Sequence, residues 1–263
     1  MRHQPRKRFG QNFLRDESII EEIARAVSPA EDDHVVEIGP GEGALTAALI
    51  TSGCLMDAIE LDRDLRTRLL ANFSVYPKFT LHSADALTFD YASLIVSGEP
   101  LRVVGNLPYN ISTPLIFRLL EAAGLISDMH FMLQLEVVAR LAAVPGTKDW
   151  GRLGVMAQFY CELEKLFEVP PEAFFPAPKV KSAVVRLTPR RTNPWPDCDA
   201  KQLAFVVTRA FAQRRKTLLN NFKGFFEAAT LEALGIDPGT RAETIQLDQF
   251  VALAAIAQPE AMS

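Results

Sequence analysis

Cysteine is scarce in this chain, with three in 263 residues, at Cys54, Cys161 and Cys198. They lie far apart and form no CxxC pair, which argues against both a disulfide framework and a thiolate zinc site and fits a reducing cytoplasm. The four histidines, His3, His34, His82 and His130, make no HExxH or other ligand spacing, so no metal is expected. No apolar run reaches the ~20 residues needed to cross a bilayer, and no membrane association is expected. The basic start runs into polar GQNFLRDE, not into the apolar stretch of a secretory signal. Internal repeats are absent. A general excess of cations is also missing: the net charge of −4 excludes a wholesale nucleic-acid coat.

The charge that is present is unevenly placed. Arg2, Arg6, Lys7, Arg8 and Arg15 all precede the first acid, Asp16. Between residues 190 and 224, Arg190, Arg191, Lys201, Arg209, Arg214, Arg215, Lys216 and Lys223 face only Asp197 and Asp199. Such local basic faces suit a polyanion even on an acidic protein. Apolar residues at 48% and charged residues at 23% are ordinary globular composition. The length allows one large domain, or one with a small appendage.

Ser18-Ile-Ile-Glu21 has the form of a capping box, followed by an apolar helix face of Ile19, Ile20, Ile23, Ala24 and Val27. A short apolar strand around Val35, Val36 and Ile38 then meets GPGEGALTAALITSG, a glycine turn that enters a helix. A second strand, Met56 to Leu61, ends on acids. A helix with Leu65, Leu69 and Leu70 precedes a strand through Phe79 and Leu81 that ends at Asp85. A fourth strand, Leu101 to Val104, runs into Asn106-Leu-Pro-Tyr109. This βαβ rhythm predicts a parallel sheet flanked by helices, with ligands beyond the carboxyl ends of its strands. Residues 180–187 predict a late strand, and Thr188 to Asp199, with three prolines, a linker. Beyond it Leu203, Val206, Val207, Ala210 and Phe211 share a helix face. The expected domains are 1–188, carrying the sheet and the basic arm, and 189–263, small and helical.

Glu37-Ile-Gly39-Pro-Gly41-Glu-Gly43 brings a backbone turn and helix amides close to a ligand. Alone it is ambiguous. Gly39-x-Gly41-x-x-Ala44 also meets the dinucleotide form, and Glu60 stands about where a ribose-binding acid belongs, so a nicotinamide oxidoreductase stays open. Two further features favour another cofactor. Asp85, a third strand-end acid, is placed to accept from an adenine amino group, and Asn106-Leu-Pro-Tyr closes the fourth strand. Polar strand ends in this order suit a nucleoside with an amino-acid tail, S-adenosyl-L-methionine.

An amino nitrogen such as adenine N6 is a poor nucleophile because its lone pair is delocalised into the ring. The Asn106 side-chain carbonyl, with the main-chain carbonyl of Leu107 or Pro108, is suited to accept both of its hydrogens. Pro108 stiffens the turn, and Tyr109 offers a stacking face to an extruded base. Phe174, ahead of Pro176-Ala-Pro178-Lys179, is a second candidate stacking face.

Five runs carry a family resemblance: Arg8-Phe-Gly-Gln-Asn-Phe-Leu14, Glu37-Ile-Gly-Pro-Gly-Glu-Gly43, Asn106-Leu-Pro-Tyr109, Phe174-Phe-Pro-Ala-Pro-Lys-Val-Lys-Ser182 and Phe211-Ala-Gln-Arg-Arg-Lys-Thr-Leu218. In this order they resemble the ribosomal RNA adenine N6-dimethyltransferases, in their bacterial small-subunit branch. The resemblance spans nearly the whole chain. It implies a Rossmann-like S-adenosylmethionine-dependent methyltransferase sheet with a small helical C-terminal domain. It further implies that two adjacent adenosines near the 3′ end of small-subunit (16S) rRNA, in an assembling 30S particle, are the substrate. Asn12 and Leu14 become cofactor contacts by this match alone, beside Gly39, Gly41, Glu60, Asp85 and Asn106. Leu135, where the family often has lysine, and Trp150, where it usually has tyrosine, depart from the pattern in places able to alter RNA contacts.

Arg6, Lys7 and Arg8, and the run Arg214, Arg215 and Lys216 on an expected helix, are the candidate phosphate grips. The expectation is a monomeric cytoplasmic enzyme. A non-catalytic assembly or transcription factor on the same scaffold is the alternative.

Overall fold

A computed structural model describes residues 11–95 and 98–257. Seven strands form one sheet: β2 (His34–Ile38), β3 (Leu55–Ile59), β4 (Phe79–His82), β5 (Leu101–Asn106), β6 (Ile126–Gln134), β7 (Cys161–Val169) and β9 (Ser182–Pro189), in the order β4-β3-β2-β5-β6-β9-β7. The first five are parallel and β9 is antiparallel to β6. All five residues of β2 are buried, as expected for an inner parallel strand covered on both faces. Chain order runs outward from β2 to β3 and β4, then returns to the other side of β2 with β5. That reversal makes the β2/β5 gap the topological switch point, where a crevice opens beyond the strand ends.

Helices α1 (Glu17–Val27), α2 (Ala44–Ile50) and α3 (Arg63–Phe73) supply Ile23, Val27, Leu45, Leu49, Leu69 and Phe73 to a core that includes Val35, Met56, Val104, Met132 and Val184 from the sheet. Helix α1 begins two residues earlier than the Ser18–Glu21 box predicts. Asp16 caps it, its carboxylate accepting from the Ser18 and Ile19 amides at 3.0 and 3.2 Å, so Ser18 lies inside the first turn. On α3, Leu65 and Leu69 are buried but Leu70 is half exposed, one position round the helix. The third crossover strand, β4, stops at His82, which leaves Asp85 in the turn beyond it. A two-stranded ribbon, β1 (Phe13–Leu14) with β8 (Phe174–Phe175), completes this part of the molecule.

The described residues divide into two compact units, those up to 138 with 163–189, and 139–162 with those from 190 on. The break at 189/190 lies one residue from the expected boundary, but segment 139–162 groups with the C-terminal residues and not with the sheet. Inside that second unit, Trp150 is buried and its indole N–H donates to the Ile245 carbonyl at 2.9 Å. Trp150 is therefore a core residue and not an exposed RNA contact. Helices α4 (Ser112–Glu121) and α5 (Leu135–Leu141) follow β5 and β6, and the second unit's helices include α6 (Arg152–Tyr160), α7 (Ala200–Ala210), α8 (Leu218–Asn221), α9 (Ala228–Ala233) and α10 (Leu247–Ala255). Leu203, Val206, Val207 and Ala210 form the buried face of α7. Among the described residues, no helix is long and apolar enough to cross a membrane, and no group of three or more His, Cys, Asp or Glu could hold a metal.

Candidate active site

The carboxyl ends of β2, β3 and β5 open into one cleft with an empty volume of about 1370 Å³, open solvent included. Asn12, Leu14, Gly39, Gly41, Glu60, Asp85, Asn106, Leu107, Pro108 and Tyr109 all line it. The fold thus gathers these predicted positions around one space from segments up to 97 residues apart in sequence.

The glycine turn forms the cleft's first wall. Gly41 has φ of +61°, and a side chain there would stand 3.0 Å from the Phe13 ring, so the residue needs glycine both for its backbone and for its neighbour. Gly105 has a different role: a Cβ on it would meet the Ile38 carbonyl at 2.7 Å, so its bareness lets β2 and β5 close up at the switch point.

Acids line this wall. Glu60, directly after β3, is buried, accepting from the Asp62 amide at 2.8 Å and the Gly41 amide at 3.3 Å. Burial pushes its carboxyl above the usual range, against the pull of those amides. Asp85 accepts from the Leu87 amide at 2.9 Å through one oxygen. Asp62 caps α3 and accepts from the Gln11 side chain at 3.2 Å. Glu37 is buried beneath the turn, where the Thr46 hydroxyl donates to it at 2.6 Å. Burial is the main cause that raises its pKa to about 7, with the Glu60 charge adding to it.

Among the described residues, Glu37, Glu42, Glu60, Asp62 and Asp85 line the cleft, and no lysine or arginine does. That charge pattern decides between the two cofactors left open by the glycine turn. A nicotinamide dinucleotide brings a diphosphate, which this acidic lining would repel even with Glu37 raised to about 7 and Glu42 paired with Arg15 and Arg68. S-adenosylmethionine brings a sulfonium and an ammonium against one carboxylate, and this donor set fits it. The carboxylate oxygens of Glu60 and Asp85 retain lone pairs for hydroxyl and amino donors.

The second wall is Asn106-Leu-Pro-Tyr109. The Asn106 side-chain amide donates to the Asn12 main-chain carbonyl at 2.9 Å, which leaves its own carbonyl oxygen for a ligand. Leu107 is buried, its amide donating to the Met132 carbonyl at 3.2 Å. The Pro108 carbonyl closes the turn by accepting from Ile111 at 3.1 Å, which makes Leu107 the better candidate for the second carbonyl. Tyr109 is half-buried, and its hydroxyl shares a 2.8 Å hydrogen bond with buried Ser182 of β9. Desolvation raises its phenol pKa, so the ring stays neutral.

Phe174 is not brought to the cleft. It is 5% exposed and joins the core with Leu14, Met132 and Val184. Arg6, Lys7 and Arg8 lie outside the described residues. Arg214, Arg215 and Lys216 are exposed, but in the turn between α7 and α8 and not on a helix. The helix ends at Ala210 because the Asn221 side chain takes the Ala210 and Gln213 carbonyls at 2.7 and 3.3 Å. Arg214 donates to the Lys148 and Trp150 carbonyls at 2.5 and 3.4 Å, so it braces the second unit. Residue patterns missed three supports: Asn12 as the anchor of Asn106, Ser182 as the anchor of Tyr109, and Gln11 on Asp62. All three sit in the runs ending at Leu14 and Ser182, which is the signal the sequence offers.

The family profile "Ribosomal RNA adenine dimethylase" matches residues 2–258. This chain belongs to that family. It is an S-adenosylmethionine-dependent methyltransferase acting on adenine in ribosomal RNA. Two relatives bear the name Ribosomal RNA small subunit methyltransferase A. The one from Saccharophagus degradans is 59% identical over 95% of this chain and 94% of its own length. The one from Pseudomonas aeruginosa is 57% identical over 96% and 94%. Among solved structures, the 23S rRNA methyltransferase ErmE aligns with TM-score 0.70 at 28% identity, over 92% of this chain and 98% of its own. A dimethyladenosine transferase from Plasmodium falciparum aligns with TM-score 0.76 at 24% identity, over 93% and 96%, a likeness of fold. The family removes the oxidoreductase reading and gives no support to a non-catalytic factor.

Proposed function

We propose that the protein dimethylates N6 of two adjacent adenosines near the 3′ end of small-subunit (16S) rRNA, within an assembling 30S particle. It acts as a cytoplasmic monomer. The observation that carries the chemistry is the pinned Asn106 at the end of a cleft lined, among the described residues, by acids and by no lysine or arginine. The small-subunit target is supported by the names of the relatives at 57–59% identity.

In this reading Gly39, Gly41, Glu60, Asp85, Asn12 and Leu14 hold the cofactor. Bound S-adenosylmethionine supplies an electrophilic methyl group on sulfur. The protein's own work is to place the acceptor. Asn106 and the Leu107 carbonyl take the two N6 hydrogens, drawing the nitrogen lone pair out of the ring and toward the methyl group. Tyr109, fixed through Ser182, stacks on the extruded adenine. No strong general base is needed, since holding two reactants in line is worth ~7–11 kcal/mol. Phe174 as a second stacking face requires its ring to leave the core. RNA phosphates are gripped by Arg215 and Lys216, with Arg6, Lys7 and Arg8 on the arm.

The test is direct. Incubating the protein with labelled cofactor and under-methylated small subunits should label adjacent adenosines near the 3′ end of the RNA. Label in large-subunit RNA alone would overturn the assigned substrate.

A further inference from the structure

The β1–β8 ribbon at the rim of the cleft carries an aromatic ring that neither wall uses. Phe175 is 48% exposed, whereas its chain neighbour Phe174 is 5% exposed. The register sets Phe13 opposite Phe175 and Leu14 opposite Phe174. Opposed residues of an antiparallel pair share a face and successive ones alternate. The ribbon therefore has one face of Leu14 with Phe174 in the core and an opposite face on which Phe13 is buried against the glycine turn while Phe175 stays exposed. Phe13 lines the cleft and packs over Gly41, and Asn12, one residue earlier, holds Asn106. Neighbouring strands lie about 4.8 Å apart, so Phe175 is rooted one strand spacing from that wall.

A second contact fixes the ring. The Arg15 guanidinium lies 4.3 Å from its centroid and also bonds the Glu42 carboxylate at 3.2 Å. Glu42 itself lines the cleft. Single exposed apolar residues are ordinary on protein surfaces. An aromatic ring backed by a strand, with an arginine plane over it, beside a cleft that accepts a base, is a stacking platform.

We propose that Phe175, with Arg15 over its ring, receives the base of a nucleotide next to the target adenosine. The inference rests on the cleft being the adenine-methylating site. Drawing one base out of a single strand uncovers a face of its neighbour, and RNA-binding proteins cover such faces with aromatic rings and arginine planes. Every base has such a face, so the platform holds the strand without selecting its sequence. Phe175 is a positioning residue for RNA and touches no reacting atom.

The test compares F175A, F175L and F175Y in steady-state methylation of under-methylated small subunits, with cofactor affinity measured by calorimetry. F175A should raise KM for the subunit about tenfold, with kcat within about twofold and cofactor affinity unchanged. F175Y should restore the wild-type KM, while F175L, apolar but without a π-face, should resemble F175A. A wild-type KM in F175A overturns the proposal. So does full rescue by leucine, which would make the residue simple apolar packing, and so does lost cofactor affinity, which would make it a prop for Phe13. A wild-type protein that labels no small-subunit adenosine would sink the functional reading and this inference together. Wild-type activity with an unaltered F175A would sink the inference alone.

Discussion

The two walls of the cleft are fastened differently. On the cofactor wall three acids each accept from an amide two residues on, Glu60 from Asp62, Asp62 from Asp64 and Asp85 from Leu87, with Gly41 and Gln11 as additional, more distant donors to Glu60 and Asp62. On the acceptor wall the polar groups are held from far along the chain, Asn106 by Asn12 and Tyr109 by Ser182. A local fastening forms with its own turn and tolerates small shifts elsewhere. A remote one makes the geometry of the wall depend on β1 and β9. The chemistry accounts for the difference. The cofactor wall has only to bind, whereas the acceptor wall must hold a nitrogen in line, where a 1 Å error can cost ~10²-fold in rate.

The largest effect should come from breaking the acceptor wall at its centre. Asn106→Ala removes both the acceptor for N6 and the tie to Asn12. Turnover should fall by about 10²-fold or more, with a smaller loss of cofactor affinity because Glu60 and Asp85 remain. Single-turnover methylation and calorimetry measure the two separately. Equal losses in both would mean that the walls do not act separately.

Glu60→Ala attacks the other wall. Hydrogen bonds to a charged group are worth about 1.5–3 kcal/mol, so cofactor affinity should fall about tenfold or more. Turnover at saturating cofactor should change little. Unchanged affinity in a folded Glu60→Ala protein would remove Glu60 from the cofactor site.

The same contrast explains what could be read from residues alone. Gly39, Gly41, Glu60 and Asp85 follow from βα turns, whose chemistry is written within a few positions. The strands are legible because inner parallel strands are short, mostly apolar runs, as at Val35–Ile38 and Leu101–Val104, each broken by one charged residue, Glu37 and Arg102. The supports of Asn106 and Tyr109 depend on partners 94 and 73 residues away, which no local pattern specifies. Phe174 is the same kind of case: its run is recognisable, but only the pairing of β8 with β1 decides that its ring faces the core. The sequence around Arg214–Lys216 predicts helix where the structure has a turn, because the terminator, Asn221, lies beyond it.

A smaller effect sharpens the comparison at the remote tie between Tyr109 and Ser182. Tyr109→Phe keeps the stacking ring and loses the hydroxyl, while Ser182→Ala loses its partner. Each should lower turnover about fivefold, since a single hydrogen bond nets ~1 kcal/mol. The double variant should be no worse than the poorer single one, because both remove the same bond. Additive losses would show that the two hydroxyls act independently and that the ring is oriented by other contacts.

The last test concerns Glu37, beneath the glycine turn, and is read in stability and not in turnover. Its carboxyl is raised from an ordinary value near 4.5 to about 7, chiefly by burial. Between those two pH values the folded protein keeps a proton that the unfolded chain has released. Stability should therefore fall as pH rises through this window, by up to ~1.4 kcal/mol per pH unit, and level off above about pH 7. Glu37→Gln does not titrate, yet its amide oxygen can still accept from Thr46. The variant should lose this slope while keeping the Thr46 contact, and should gain on the wild type as pH rises from 5 to 8. Urea unfolding at pH 5, 6, 7 and 8 measures both curves. Parallel curves would assign the pH dependence to other groups and leave Glu37 ionised in the fold.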